Sequence, residues 1–280
     1  MDDGRKIAII GSSGQVGQPT VKALLAQGIH TISSVQRIEA TSTFPPKVIV
    51  TSGDLKDVPF LTDVFQGQDI VVLMPPLPHL VSLQEPAVRA VAKAKVPYIL
   101  PAEFGPDPSA IRLIAENQLL DMNIKSGLWV IDVENHKATI WTRGVGKVST
   151  SSVAHTGQAT AAVLSLPEND LCKYKNKAFY VPSFHLTQKE LLQAVQKAAG
   201  TTGRDWEVDY QDVNDALKDC NEKIQQKGRT APFVKFFLTH FQNGNGGDFE
   251  NMVDAKEVKK LHGIGLQKEA IEDVLKCTVS

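Results

Sequence analysis

Three glycines spaced three apart, Gly11, Gly14 and Gly17, follow the apolar run Ile7-Ala8-Ile9-Ile10. A strand, a tight turn and a helix start, in that order, make a phosphate cradle. Amides at a helix N-terminus lack intrahelical partners, and the helix dipole adds about half a positive charge there. Glycine lets the chain turn sharply and lets a pyrophosphate approach without meeting a Cβ. The spacing is G-x-x-G-x-x-G rather than the dehydrogenase form G-x-G-x-x-G. Taken alone, such a triplet also suits an ordinary strand-to-helix turn. A second residue adds weight. The strand-like segment Thr31–Arg37 ends in a basic residue, 20 positions after Gly17. An acid at that place accepts hydrogen bonds from a ribose 2′-hydroxyl, whereas a guanidinium fork suits a 2′-phosphate. Arg37 therefore favours NADP over NAD, unless it is a solvated arginine partly neutralised by Glu39. Asp54 follows a third strand-like run, Lys47–Val50. It either meets the adenine amino group or caps a helix.

Other chemistries find no support. In ordinary short-chain dehydrogenases a Tyr-x-x-x-Lys pair works as acid and base, the lysine lowering the tyrosine pKa. Here Tyr98, Tyr174, Tyr180 and Tyr210 are followed four residues later by Ala102, Ala178, Phe184 and Asn214. The seven histidines are scattered, with no H-E-x-x-H and no Cys/His cluster, so no metal site is expected. There is no G-x-S-x-G elbow. The loop Gly244–Asp248 lacks the alternating oxygen ligands of a calcium loop. Thirty Lys+Arg balance 31 Asp+Glu, which argues against a nucleic-acid partner. No apolar run approaches the ~20 residues of a membrane span. The acidic Met1-Asp2-Asp3 start is not a signal peptide, and Cys172, Cys220 and Cys277 form no disulfide frame. A reduced, cytoplasmic location is the expectation.

The elements that must position these residues alternate between two periodicities. Helical patterns are expected over Gln18–Gln27, stopped by Gly28, and over Val58–Phe65, stopped by Gly67. Asp69–Met74 is apolar throughout, as a parallel strand buried on both faces should be. It runs into Pro75-Pro76-Leu77-Pro78, a stiff loop at the end of the sheet where ligands sit in this architecture. Ser82 and Glu85 read as a capping box that opens the next helix, and Tyr98–Leu100 as a fifth strand leading into Pro101–Gly105. The result is a doubly wound α/β sheet of Rossmann type. Beyond residue 105 the alternation breaks. A short helical stretch at Ala110–Asn117 precedes an antiparallel pair, Val130–Val133 with Ala138–Trp141. The remainder reads as a helix-rich cap. It has helices from Val153 and, behind a Thr187/Glu190 capping box, through Leu191 and Val195, with a short strand at Ala178–Pro182 between them. Further helices carry Val213, Leu217, Cys220 and Ile224, and then Phe233, Phe236, Phe237 and Phe241. That aromatic stripe is either helix core or the roof of a pocket.

These residues carry a family likeness. GSSGQVG, the strand ending in Arg37, PAEFGPDPS and VSTSSVAHTGQATAAVLSLPE resemble the fungal isoflavone-reductase-like, or NmrA-like, proteins, which are atypical short-chain dehydrogenase/reductases. SFHLTQKELL, AGTTGRDWEV and GNGGDFE extend the likeness over nearly the whole chain. It implies an NADP-binding Rossmann domain over 1–118 and a mixed region over 119–280 that ends in a small substrate domain. It also implies NADPH-dependent reduction of a small, often aromatic, secondary metabolite. By matching position, Gly11, Ser13, Gly14, Gln15, Val16 and Gly17 would hold the pyrophosphate and Arg37 the 2′-phosphate. Leu73, Met74 and Pro75 would lie beside the nicotinamide, and Glu103 and Phe104 would border the substrate.

One departure bears on catalysis. In active members of the family, a helix bearing a lysine follows the EFG motif, and then another core strand. Here Gln118 passes into Leu119-Leu120-Asp121-Met122, so a helix and a strand are expected to be missing after residue 118. Lys125 is the nearest lysine and a weak catalytic candidate, and Ala102 stands where the family has serine. The catalytic proton donor is therefore unassigned. A non-catalytic NADP-binding regulator that contacts a protein partner is the alternative, and a truncated, poorly folding product is a third reading.

Overall fold

The computed structural model describes residues 4–76, 79–102, 104, 131–228 and 230–279. The chain divides into two compact units. The first comprises Met1–Phe104, Val153–Val181 and Asp254–Gln267, and the second the three segments between and after these.

The first unit is built on a five-stranded parallel sheet. Its strands are β1 (Lys6–Ile10), β2 (Thr31–Gln36), β3 (Val48–Ser52), β4 (Ile70–Leu73) and β5 (Tyr98–Leu100), in the order β3-β2-β1-β4-β5. Successive side chains of a strand point to opposite faces. Ile7 and Ile9 join Ile32, Ile70 and Val72 on one face, under Val21 and Leu24 of α1 (Gly17–Gln27) and the Ala159–Leu164 run of α4 (Val153–Leu164). Ala8 and Ile10 join Val35, Val71 and Leu73 on the other, against Leu61 and Phe65 of α2 (Val58–Phe65) and Ala87, Ala90 and Val91 of α3 (Leu80–Ala94). Burial on both faces explains why β1 and β4 read as apolar runs without alternation. Helices α1 and α4 approach closely: a Cβ on Gly157 would lie 2.7 Å from the Thr20 amide nitrogen. Two further helices, α5 (Glu168–Leu171) and α9 (Ala255–Ile264), complete this unit.

The second unit contains the expected antiparallel pair, β6 (Ile131–Asp132) with β7 (Lys137–Thr142), Ile131 facing Ala138. A third strand, β10 (Glu207–Asp212), runs parallel to β7. The helices of this unit are α6 (Gln188–Ala198), α7 (Val213–Gln225), α8 (Ala231–Phe241) and α10 (Ile271–Val279). The Thr187/Glu190 capping box opens α6 as expected. Gln188, also in the first turn of α6, accepts from Trp141 N at 2.9 Å and donates to Thr139 O at 2.8 Å, so its amide extends the hydrogen bonding of β7. Of the aromatic stripe on α8, Phe241 is buried against Trp141, while Phe233, Phe236 and Phe237 are half-buried.

Two local expectations are corrected. Helix α3 starts before Ser82, with His79 at the N-cap. Ser82 Oγ donates back to His79 O and Glu85 pairs with Arg89, so neither serves a capping box. Ala178–Pro182 is not a strand. Phe179 and Val181 pack onto the core of the first unit, and Pro182 has no N–H for a ladder. The strand of that region is β9 (Phe184–Leu186), antiparallel to β8 (Val148–Thr150). The expected loss of a helix and a strand after residue 118, and the helical stretch at 110–117, lie outside the described residues.

Candidate functional site

All of the described candidate residues belong to the first unit and stand at the carboxyl edge of its sheet. From Ile10 the chain turns through Gly11 at φ +85°, a left-handed conformation that favours glycine. The loop closes with Gly14 N donating to Gly11 O at 2.9 Å, and α1 is joined by Gln18 N donating to Gly14 O at 3.0 Å. The three glycines serve different ends. A Cβ on Gly11 would lie 1.9 Å from Met74 O, and one on Gly17 would lie 2.1 Å from Gly11 O. These two positions let backbone pack on backbone. Gly14 is exposed, and its added Cβ would come no closer than 3.1 Å, again to Gly11 O. Here the open face of the loop is the more telling property.

That face suits an anion. The amides of Ser13, Gln15 and Val16 donate to no backbone acceptor among the described residues. No side chain caps α1, and no acid lies in its first turn. The side chains of Ser13 and Gln15 are exposed, whereas that of Val16 packs on the core, leaving Val16 only its backbone to offer a ligand.

Met74 N donates to Ile10 O at 2.8 Å, which carries the sheet one residue past β4. Leu73, Met74 and Pro75 are buried there, with Met74 beside Gly11. Phe104, past β5, packs partly on the core. Arg37 follows the last residue of β2 on the same edge. Its side chain is exposed and makes no ion pair with Glu39 or any other acid among the described residues. Strand β2 itself ends in the neutral Gln36, whose Nε2 donates to Ser52 Oγ at 3.3 Å. Asp54 lies beyond β3 and is exposed. One carboxylate oxygen accepts from Lys56 N at 2.8 Å, and Asp57 holds the N-cap of α2, so the capping alternative for Asp54 falls. Glu103 and Lys125 lie outside the described residues. Among the described residues no group of acids, histidines and cysteines is placed to hold a metal, and no helix is long and apolar enough to cross a membrane.

Sequence reasoning missed the support beneath the glycine loop. Ser12 Oγ and Ser34 Oγ are 2.6 Å apart, and both residues are buried. The signal was the Ser33-Ser34 pair between the buried Ile32 and Val35, since a buried hydroxyl needs a partner. Ser12→Ala is expected to cost about 1–2 kcal/mol in urea unfolding, because Ser34 would be left unpaired. Replacing both serines by alanine should recover part of that loss.

Residues 3–119 match the model of the NmrA-like family. Oxidoreductase aprR of Aspergillus flavus is 25% identical over 289 aligned positions, covering 91% of this chain and 94% of that protein. Among solved structures, an isoflavone reductase superposes with a TM-score of 0.69 at 22% identity, covering 98% of this chain and 99% of its own. AtPrR2, solved with NADP+ and (+)pinoresinol, superposes with a TM-score of 0.71 at 21% identity, covering 99% of both chains. Family model, fungal relative and fold agree with the likeness read from the motifs: residues 3–119 match the NmrA-like family, and the whole chain has the fold of the isoflavone reductase structure.

Proposed function

We propose that this protein is an NADPH-dependent reductase of a small aromatic secondary metabolite. The observation that carries the reading is the common edge shared by the open glycine loop, an exposed Arg37 with no ion pair among the described residues, and the buried Met74–Pro75 turn. A dinucleotide phosphate is long, anionic at its centre and anionic again at its adenosine end. Loop amides at the start of α1 match the first charge and a free guanidinium the second. The neutral Gln36 at the end of β2 puts no carboxylate against a 2′-phosphate. NADPH, when bound, supplies the hydride. The chain's own part is to hold the pyrophosphate on Ser13, Gly14 and Gln15 and to fix the 2′-phosphate with Arg37. Asp54 lies on the adenine side. Leu73, Met74 and Pro75 form a dry wall for the nicotinamide, and Phe104 borders the substrate. The division into an NADP-binding part and a substrate part belongs to the same reading. The relative aprR is named an oxidoreductase, and AtPrR2 was solved with NADP+ and (+)pinoresinol.

The test is a fluorescence titration with NADPH followed by a panel of aromatic ketones and enones. Micromolar binding with turnover of at least one panel member is expected. Binding without turnover would remove the reductase and leave a cofactor-binding protein. Equal affinity for NADH and NADPH would remove the role given to Arg37.

A further inference from the structure

At the opposite, amino edge of the same sheet, polar side chains gather around a cavity of about 420 Å³. It is lined in part by Arg5, His30, Asp69, Tyr98, Ser165 and Glu168. None of these belongs to the candidate cofactor edge. His30 joins three chain segments there. Its Nδ1 accepts from Arg5 N at 3.0 Å, just before β1. A ring nitrogen that accepts carries no proton, so the proton of the neutral ring is on Nε2. Nε2 then donates to Ser165 Oγ at 2.8 Å, immediately after α4. Ser165 Oγ is also within reach of Ala161 O at 2.6 Å and of Gln27 Oε1 at the end of α1.

The charged groups around the ring are engaged with one another. Arg5 donates to Leu164 O at 2.7 Å and pairs with Glu168 at 3.3 Å. Tyr98 donates to the other oxygen of Glu168, which pushes the phenol up to about 12. Asp69 accepts from Lys6 N at 2.7 Å. The nearby cation is therefore Arg5, and the two acids already have partners.

We propose that His30 is an acid-sensitive latch that holds the end of α4, and α5 behind it, to the amino edge of the sheet only while its ring is neutral. A proton on Nδ1 would turn the acceptor into a donor that faces the Arg5 amide, and would set a second cation beside the Arg5 guanidinium. Burial, and then the charge of Arg5, hold the imidazole below its ordinary value. A group whose folded value is depressed in this way is neutral in both states above about pH 6.5, where the latch is at full strength. As the pH falls below that value the open form takes up the proton first. Opening is then favoured by up to about tenfold per pH unit until the closed form also titrates.

Hydrogen exchange on the full chain reads this directly. Between about pH 7.5 and 5.5, and after correction for intrinsic rates, peptides spanning residues 161–171 should lose protection, by up to about tenfold. His30→Asn keeps an acceptor and a donor without a titrating ring, and should hold that protection level across the range. A flat profile in the natural chain, or an equal loss in the variant, would overturn the latch. Should the variant not fold, ¹⁵N shifts of the natural chain decide: His30 must be the Nε2–H tautomer near neutral pH and must titrate below ordinary histidine. A ring that charges at the ordinary value sinks the proposal.

Discussion

Gly11→Ala should destabilise the first unit strongly, with a loss of about 2–5 kcal/mol in urea unfolding. Two independent costs add at this residue. A left-handed backbone conformation is unfavourable for any residue with a Cβ, at about 1–2 kcal/mol. The new methyl would also sit 1.9 Å from Met74 O, a backbone atom held by the sheet, so β1 and β4 would have to separate. Overpacking of that kind costs about 1–3 kcal/mol or more. Gly14→Ala is the matched control. Its added Cβ meets nothing closer than 3.1 Å, so stability should change by less than about 1 kcal/mol. Its expected effect is on NADPH binding, because Gly14 is exposed on the loop that would take the pyrophosphate. If both variants lose stability equally, the glycines do not have the separate roles given to them.

Arg37→Glu is expected to weaken NADPH binding by about 100-fold, with little effect on NADH. A charge-assisted pair with the phosphate is worth about 1.5–3 kcal/mol, and the substitution adds repulsion to its loss. The arginine is exposed and forms no ion pair among the described residues, so the melting temperature without ligand should stay within a degree or so. This separation is the useful feature of the test. A fall in affinity accompanied by unfolding would say nothing about the phosphate, whereas unchanged affinity for NADPH in a stable variant would refute its assignment to Arg37.

The centre of the parallel sheet was legible because its strands β1 and β4 are unbroken apolar runs. Ile7–Ile10 and Ile70–Leu73 are buried on both faces and stopped by glycine or proline, so the parallel sheet could be read without ambiguity. Strand β10 escaped notice for the opposite reason. Glu207-Val208-Asp209-Tyr210 puts charge on an edge strand largely open to solvent, and local pattern alone does not distinguish that from a loop. The capping box at Ser82 misled because the motif is only two residues, and a helix already turning at Leu80 can contain it by chance. In the site, glycine spacing pointed to the right loop but gave one reason for three residues. That Gly11 and Gly17 answer to Met74 and to the loop's own backbone depends on contacts distant in sequence. The Ser12–Ser34 tie is likewise non-local.

The first unit is assembled from three stretches of chain, and this has a consequence for biosynthesis. Strands β1 to β5 leave the ribosome by residue 100, but one face of their sheet is covered by α4, and α9 arrives only with residues 255–264. At about 5–20 residues per second, the newly made sheet waits on the order of ten seconds or more for its last helix. Throughout that interval the core on that side of the sheet lacks Leu261 and Leu266. A fragment ending after β5 would lack α4 over one face of its sheet, and should precipitate instead of folding.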